Sequence, residues 1–306
     1  MASILNFGRK KPTPVAGHNA LPAFLDNFSI EVMPRTAAKI DSFRDLLPAN
    51  TRIYIAHIEG TPIDDMVATA KRVRDEGFEP MPHFPARIIH DKPVLKDWVG
   101  RYEAEAGVRE GLLLGGGVTT PAGDYDSAMQ LLDSGVFNHF RRLHVAGHPE
   151  GNRDIDTNGS DQLVMQALHW KQAFSERSDA EMAIVTQFCF EAEPVIAWVN
   201  KLAAEGIKLP IHIGIAGPAK LQTMIKFALT CGVGPSLRVL QRRAADLTKL
   251  LLPFTPTEIL TDLAQHKAAN PEFGIEQVHF FPLGGIVPTA EFVRDATQSQ
   301  DAQASA

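Results

Sequence analysis

Eight short runs of β-type residues, each followed by a segment patterned for a helix, constrain this chain more than any other feature. The runs are FSIEVM (28–33), RIYIAHI (52–58), FEPMPHF (78–84), EGLLLGGG (110–117), FRRLHVAG (140–147), EMAIVTQFCF (181–190), LPIHIGI (209–215) and EQVHFFPLG (276–284). Between them apolar residues recur at helical spacing. In TPIDDMVATAKRVRDEG, the residues Ile63, Met66, Val67, Ala70 and Val73 share one face. Thr61 is expected as the cap of that helix, Pro62 as its first residue and Gly77 as its stop. Eight strands alternating with helices argue for an α/β chain folded as a (β/α)8 TIM barrel rather than a doubly wound sheet. A length of 306 residues suits one such domain, which typically runs to about 250.

The expected barrel spans residues 21–294. Residues 1–20, rich in Pro, Gly and Lys, read as a flexible N-terminal segment, and 295–306, small and polar, as a flexible tail. Two extra helical segments within 235–270 read as an insertion before the last strand.

A net charge of −6 provides no basic field for a polyanion, so no nucleic-acid partner is expected. The basic cluster GRKKP at 8–12 has no apolar stretch behind it, and no later run reaches the roughly 18 apolar residues of a membrane span. The expectation is a soluble, cytoplasmic protein with no membrane partner, and the sequence is compatible with a homo-oligomer. Cys189 and Cys231 lie in apolar contexts without metal-ligand spacing and read as buried free thiols.

Barrels of this kind work at the C-terminal ends of their strands. That rule selects Glu31, His57, Glu59, His83, Gly115 to Gly117, the segment 144–152, Gln187, the segment 214–218 and the residues after Phe281. Glu31 stands inside an apolar run, where an unpaired carboxylate costs several kcal/mol. It is either a structural partner of a core arginine or an acid whose pKa the barrel mouth raises. The triple glycine is either a tight turn or a cradle of backbone N–H groups for a ligand. The scattered histidines His57, His83, His144, His148 and His279 suggest a metal hydrolase or lyase, but no HxH ends the first strand, and no metal is expected.

Together these segments resemble the methylenetetrahydrofolate reductase family across roughly residues 27–294. IEVMPRT resembles the family's first-strand glutamate motif, with Met33 at its first proline; MPHFPARI (81–88) resembles its third-strand Pro-His segment, and GHPEGN (147–152) its Gly-Tyr-Pro motif. IVTQFCFEAE (184–193) is similar to its Thr-Gln-Phe-Phe-Phe-Asp, and the segment from Ile211 follows its seventh strand, with Phe227 thirteen residues after Gly214. The resemblance implies interconversion of 5,10-methylene- and 5-methyltetrahydrofolate, with tetrahydrofolate derivatives as partners. By the same resemblance Glu31 is the general acid, Gln187 bonds the pterin and Phe227 packs on the substrate. The cofactor-binding positions become His83, Gly116, Gly117, His148, Asn152 and Lys171.

The chain also departs from the family. Leu114 to Gly117 replace Leu-Arg-Gly-Asp, His148 stands at the usual tyrosine, Asn152 at the usual histidine, Ala56 at a threonine and Gly285 at an arginine. Two cofactor arrangements follow: FAD in a weakened site, or no flavin and hydride taken directly from NAD(P)H. The competing readings are the metal-dependent hydrolase or lyase and a non-catalytic folate or flavin binder.

Overall fold

The computed structural model describes residues 20–230, 240 and 253–298. All eight runs become strands, and these pair in parallel and in chain order to close a barrel. The strands are β1 (Ser29–Val32), β2 (Arg52–Ile55), β3 (Glu79–Pro85), β4 (Glu110–Leu114), β5 (Arg142–Gly147), β6 (Glu181–Cys189), β7 (Ile211–Ala216) and β8 (Ile275–Phe281). Closure is made by β1, whose Ser29 pairs with Arg52 of β2 on one side and His279 of β8 on the other.

The helices are α1 (Leu21–Leu25), α2 (Pro34–Ala37), α3 (Ile63–Asp75), α4 (Lys92–Ala106), α5 (Ala128–Asp133), α6 (Gln162–Ser175), α7 (Ala192–Ala204), α8 (Leu221–Thr230), α9 (Thr257–Ala269) and α10 (Ile286–Gln298). Among the described residues no helix is long and apolar enough to cross a membrane. Helix α10 continues into the segment read as a tail. Of the expected insertion, α9 is described; residues 231–239 and 241–252, with Cys231, lie outside the described residues, as do 1–19 and 299–306.

Helix α3 shows how periodicity became packing. Met66, Val67, Ala70 and Val73 are buried on one face, as the spacing predicts, and the chain turns at Gly77 after the C-cap Glu76. Its start corrects the sequence reading. Pro62, extended at φ −61° and ψ 141°, occupies the N-cap in place of Thr61, and no side chain caps the helix. Asp64 and Asp65 in the first turn face the positive end of the helix dipole instead.

Three strands stop three residues short of the predicted runs. A turn in which Thr61 N–H donates to the Ile58 carbonyl follows β2, the Gly115 turn follows β4, and Pro282, which has no N–H, follows β8. Among the described residues the apolar core has three parts. The largest fills the space between strands and helices. A small inner cluster of Tyr54, Met81, Leu112 and Val185 plugs the barrel. A third, with Phe188, Phe190, Ala216 and Phe254, lies at the C-terminal ends of β6 to β8.

The N-terminal floor of the barrel is ionic. Glu110, with no solvent exposure, accepts hydrogen bonds from Arg52 Nε at 2.8 Å, Arg141 Nε at 2.9 Å and Arg142 Nη1 at 2.8 Å. Burial would raise its carboxyl, but the three guanidinium groups prevail and hold it below the usual range. Removing one partner from such a set strands a buried charge, so the floor is a stability element.

Candidate active site

Glu31 projects from the C-terminal end of β1, in register with Tyr54 of β2. The chain is fixed just beyond it, where the Thr36 hydroxyl accepts from Met33 N–H at 2.9 Å and donates to the Met33 carbonyl at 3.0 Å. This local lock comes from the MPRT turn and leaves Glu31 facing the barrel mouth, its side chain 19% exposed.

Two imidazoles flank its carboxyl. His83 Nε2 is 3.4 Å and His279 Nε2 3.8 Å from Glu31 Oε2. Among the described residues neither nitrogen has another partner. The ring of His279 is held from behind by the Ser29 hydroxyl, 3.0 Å from Nδ1. Burial pushes His83 down to about 4 and His279 to about 3, so both are neutral near pH 7. Burial also raises the Glu31 carboxyl, partly opposed by His83. The contacts are therefore not ion pairs at neutral pH: a carboxyl biased toward its protonated form sits between two neutral rings.

Tyr54 occupies the centre of the barrel beneath them, its ring 4.4 Å from that of His279 and its hydroxyl 2.6 Å from His144 Nδ1. Sequence reasoning overlooked Ser29 and Tyr54, and counted His279 only among scattered histidines. The available signal was the two-residue alternation, which turns Ser29 and Glu31 inward on β1 and Gln277, His279 and Phe281 inward on β8. These histidines are spread over the barrel: among the described residues, no three His, Cys, Asp or Glu are grouped as a metal would need.

Gln187 sits on an irregularity. Between β6 and β7 the register steps from Val185 opposite His212 to Phe188 opposite Gly214, so β6 carries one extra residue. The Thr186 hydroxyl fills the break, accepting from Gly214 N–H at 2.8 Å and donating to the Gln187 carbonyl at 2.9 Å. Gly214 is required there, since a Cβ would lie 2.5 Å from the Thr186 carbonyl oxygen and 2.6 Å from that of Gln187. The half-buried Gln187 side chain uses Oε1 on Phe188 N–H at 3.2 Å. Phe227, on α8, is partly buried against the cluster that contains Phe188 and Phe190. The neighbouring Cys189 is buried, which pushes its thiol up.

The remaining positions divide into two groups. Gly116 adopts φ +96° in the turn after β4, where a Cβ would meet that of Pro85 at 3.0 Å, while Gly117 is open. The turn is tied to the segment just after β3 by Arg87 N–H, which donates to the Gly115 carbonyl at 3.0 Å. Across the mouth, His148 and Lys171 are neighbours. Burial, aided by Lys171, pushes His148 down to about 4, and burial lowers Lys171 to about 8. The buried Lys171 ammonium donates to the Ala146 carbonyl at 2.9 Å and, among the described residues, has no carboxylate partner. Asn152 spends its side-chain oxygen within its own loop, on Asp154 N–H at 2.9 Å.

No family model matches the chain. A stretch of 91 residues, 30% of the chain, is 34% identical to methylenetetrahydrofolate reductase 1 of Schizosaccharomyces pombe. The matched stretch spans only 14% of that protein's length. Among solved structures, an uncharacterized protein from Clostridium thermocellum that binds two copies of 5-methyl-5,6,7,8-tetrahydrofolic acid is similar with a TM-score of 0.57. The similarity covers 92% of this chain and 98% of that one at 11% identity, a likeness of fold. The chain is thus a closed (β/α)8 barrel with a half-buried glutamate, its pKa raised, at its mouth and partial sequence likeness to a methylenetetrahydrofolate reductase.

Proposed function

We propose that the chain is a folate-linked oxidoreductase of one-carbon metabolism that interconverts 5,10-methylene- and 5-methyltetrahydrofolate. The observation that carries this reading is the Glu31 carboxyl, raised by burial and facing the two neutral imidazoles of His83 and His279. A carboxyl whose pKa burial raises holds its proton to higher pH than an exposed one and is suited to act as a general acid. Glu31 gives its proton to the bridge nitrogen that departs, the C–N bond breaks, and the remaining nitrogen forms an iminium with the one-carbon unit. In the reverse direction Glu31 takes that proton back. The side-chain amide of Gln187 offers a donor and an acceptor to the mixed edge of a pterin. Phe227 gives the substrate an apolar wall.

The hydride would come from a bound dinucleotide, either NAD(P)H itself or a flavin that NAD(P)H has reduced. The residues suit the anionic part of such a group: Lys171 is a buried cation whose acceptor among the described residues is a single carbonyl, and Gly116 and Gly117 can offer backbone N–H groups. They suit a standard flavin ring less well, because glycines replace the carboxylate and arginine of the family pattern. His83, His148 and Asn152 border the same space in this reading. A non-catalytic folate binder is the second reading, motivated by that same glycine turn.

The deciding experiment is an assay of purified protein with methylenetetrahydrofolate and NADH or NADPH, with and without added FAD. Turnover supports the oxidoreductase. Tight folate binding without turnover under any of these conditions establishes the binder.

A further inference from the structure

In the proposed reaction Glu31 is needed in two states. Burial favours the protonated one. Once the proton has gone, a carboxylate stands in the same half-buried place, and it is costly there unless donors await it. His279 is placed to be one of them.

His279 has little freedom to turn. It is fully buried, its ring lies 4.4 Å from that of Tyr54 and 4.8 Å from that of Phe281, and Ser29 stands opposite it in the β1–β8 ladder. Its Nδ1 meets the Ser29 hydroxyl at 3.0 Å, while its Nε2 lies 3.8 Å from Glu31 Oε2. These groups allow two arrangements of the protons. If Nδ1 carried the ring proton and donated to Ser29, the serine hydroxyl would need an acceptor of its own, yet among the described residues its one partner is His279. A buried donor would then be stranded with nothing in reach. If Ser29 donates to Nδ1 instead, the hydroxyl is satisfied and the ring proton sits on Nε2, the nitrogen next to Glu31. That donor lacks only a shorter approach to its acceptor. The hydrogen-bond count therefore assigns His279 the Nε2–H tautomer.

We propose that Ser29 is a positioning residue for Glu31: by donating to Nδ1 it keeps the His279 Nε2–H available to Oε2, a donor ready for the carboxylate that forms when Glu31 gives up its proton. The proposal rests on the reading of Glu31 as the acid. The electron pair of the broken O–H bond stays on Glu31, the proton goes to the departing nitrogen, and His279 keeps its own proton. The 3.8 Å approach is long for a hydrogen bond and shortens as negative charge develops. His83 from β3 approaches the same oxygen at 3.4 Å. Tyr54 from β2 is in register with Glu31 but commits its hydroxyl to His144. Burial pushes His279 down to about 3, so it serves as a neutral donor.

Ser29→Ala removes the hydroxyl and keeps Glu31, His83 and His279. Nitrogen-15 spectra of histidine-labelled protein should show His279 protonated at Nε2 in the unaltered chain, and Ser29→Ala should lose that single form; the ring whose signals move identifies it. The Glu31 carboxyl, assigned by its absence in Glu31→Gln and followed by carbon-13 NMR, should titrate at higher pH in Ser29→Ala, because its charged form has lost a donor. Neither readout needs substrate. A protein that does not turn over methylenetetrahydrofolate would sink the folate reading, and these two measurements would still decide whether Ser29 and His279 hold a donor for Glu31. In the turnover assay, kcat should fall at least about tenfold in Ser29→Ala with KM for the folate unchanged. In Glu31→Gln no carboxylate forms, so adding Ser29→Ala there should cost nothing further. If Ser29→Ala does not fold, Ser29→Cys, with its weaker donor, takes its place. A His279 proton on Nδ1 in the unaltered chain, an unmoved Glu31 titration, or the same fall in rate in both backgrounds would each overturn the proposal.

Discussion

Glu31 and His83 oppose each other's titration: burial raises the carboxyl and lowers the imidazole, and the attraction across their 3.4 Å contact works against both shifts. In each case burial is the larger cause, so the pair holds its proton on the carboxyl side more readily than an exposed pair would. Glu31→Gln keeps the shape and a hydrogen-bonding amide but has no proton to give. Turnover should fall by about 10² to 10⁴, with folate binding retained. Near-normal steady-state rates in this variant would return Glu31 to a structural role.

Gln187→Ala removes the amide proposed to read the pterin. Because polar ligand groups would lose their partner, folate affinity should drop by about 1 to 3 kcal/mol. Calorimetric titration with methyltetrahydrofolate checks this, and unchanged affinity would move the pterin elsewhere.

The glycines after β4 predict weak flavin binding. Losing two charge-assisted contacts of about 1.5 to 3 kcal/mol each lowers affinity by about two to four orders of magnitude. The purified protein should be colourless or only faintly yellow. Stoichiometric FAD binding well below micromolar in a titration of apo-protein would contradict the expectation, and NADH turnover without flavin would show direct hydride transfer.

Stability should fall in mild acid. His83 and His148 are held down to about 4 and His279 to about 3, against an ordinary histidine value of 6.5. Below pH 6.5 the unfolded chain binds protons that the folded chain refuses, so their contribution is complete above 6.5 and is lost as pH falls toward 4. The raised Glu31 acts in the opposite sense, as a single group against three. Thermal melts at pH 7.5 and pH 5 should show the lower midpoint at pH 5; equal midpoints would mean the rings are accessible to protonation in the folded state.

Tyr54→Phe deletes one hydroxyl in the centre of the barrel and leaves His144 Nδ1 without its 2.6 Å partner. Since both groups are buried, the cost should be about 1 to 3 kcal/mol. Chemical denaturation measures it directly, and a neutral result would indicate that water replaces the hydroxyl.

What the sequence disclosed and what it hid separate by range. Strands and helices follow from neighbouring residues, so all eight runs and the buried face of α3 could be read directly, and Glu31 stood out by polarity alone. Partnerships across the barrel could not. Glu110 looked like the start of an ordinary strand, yet its three arginines lie 58, 31 and 32 residues away. The Ser29 hold on His279 spans 250 residues. Thr61 was taken as a cap because its residue type favours that role, whereas the backbone at Pro62 placed the cap one position later.

The extra residue in β6 behaves on the strand as a frameshift does on a message. Up to Val185, odd-numbered side chains face the barrel interior, where Val185 joins Tyr54 and Met81. Beyond the irregularity the phase inverts: Phe188 and Phe190 join the rings at the mouth, and Cys189 packs among the helices. Deleting either Thr186 or Gln187 would make the strand regular and leave Phe188 and Phe190 facing the mouth, whereas a regular strand that kept both residues would send two phenylalanines outward and a thiol inward. A related sequence compared without regard to this step can match letter for letter while its residues point the opposite way. The spacing between Val185 and Phe188 therefore carries information that the residue identities alone do not.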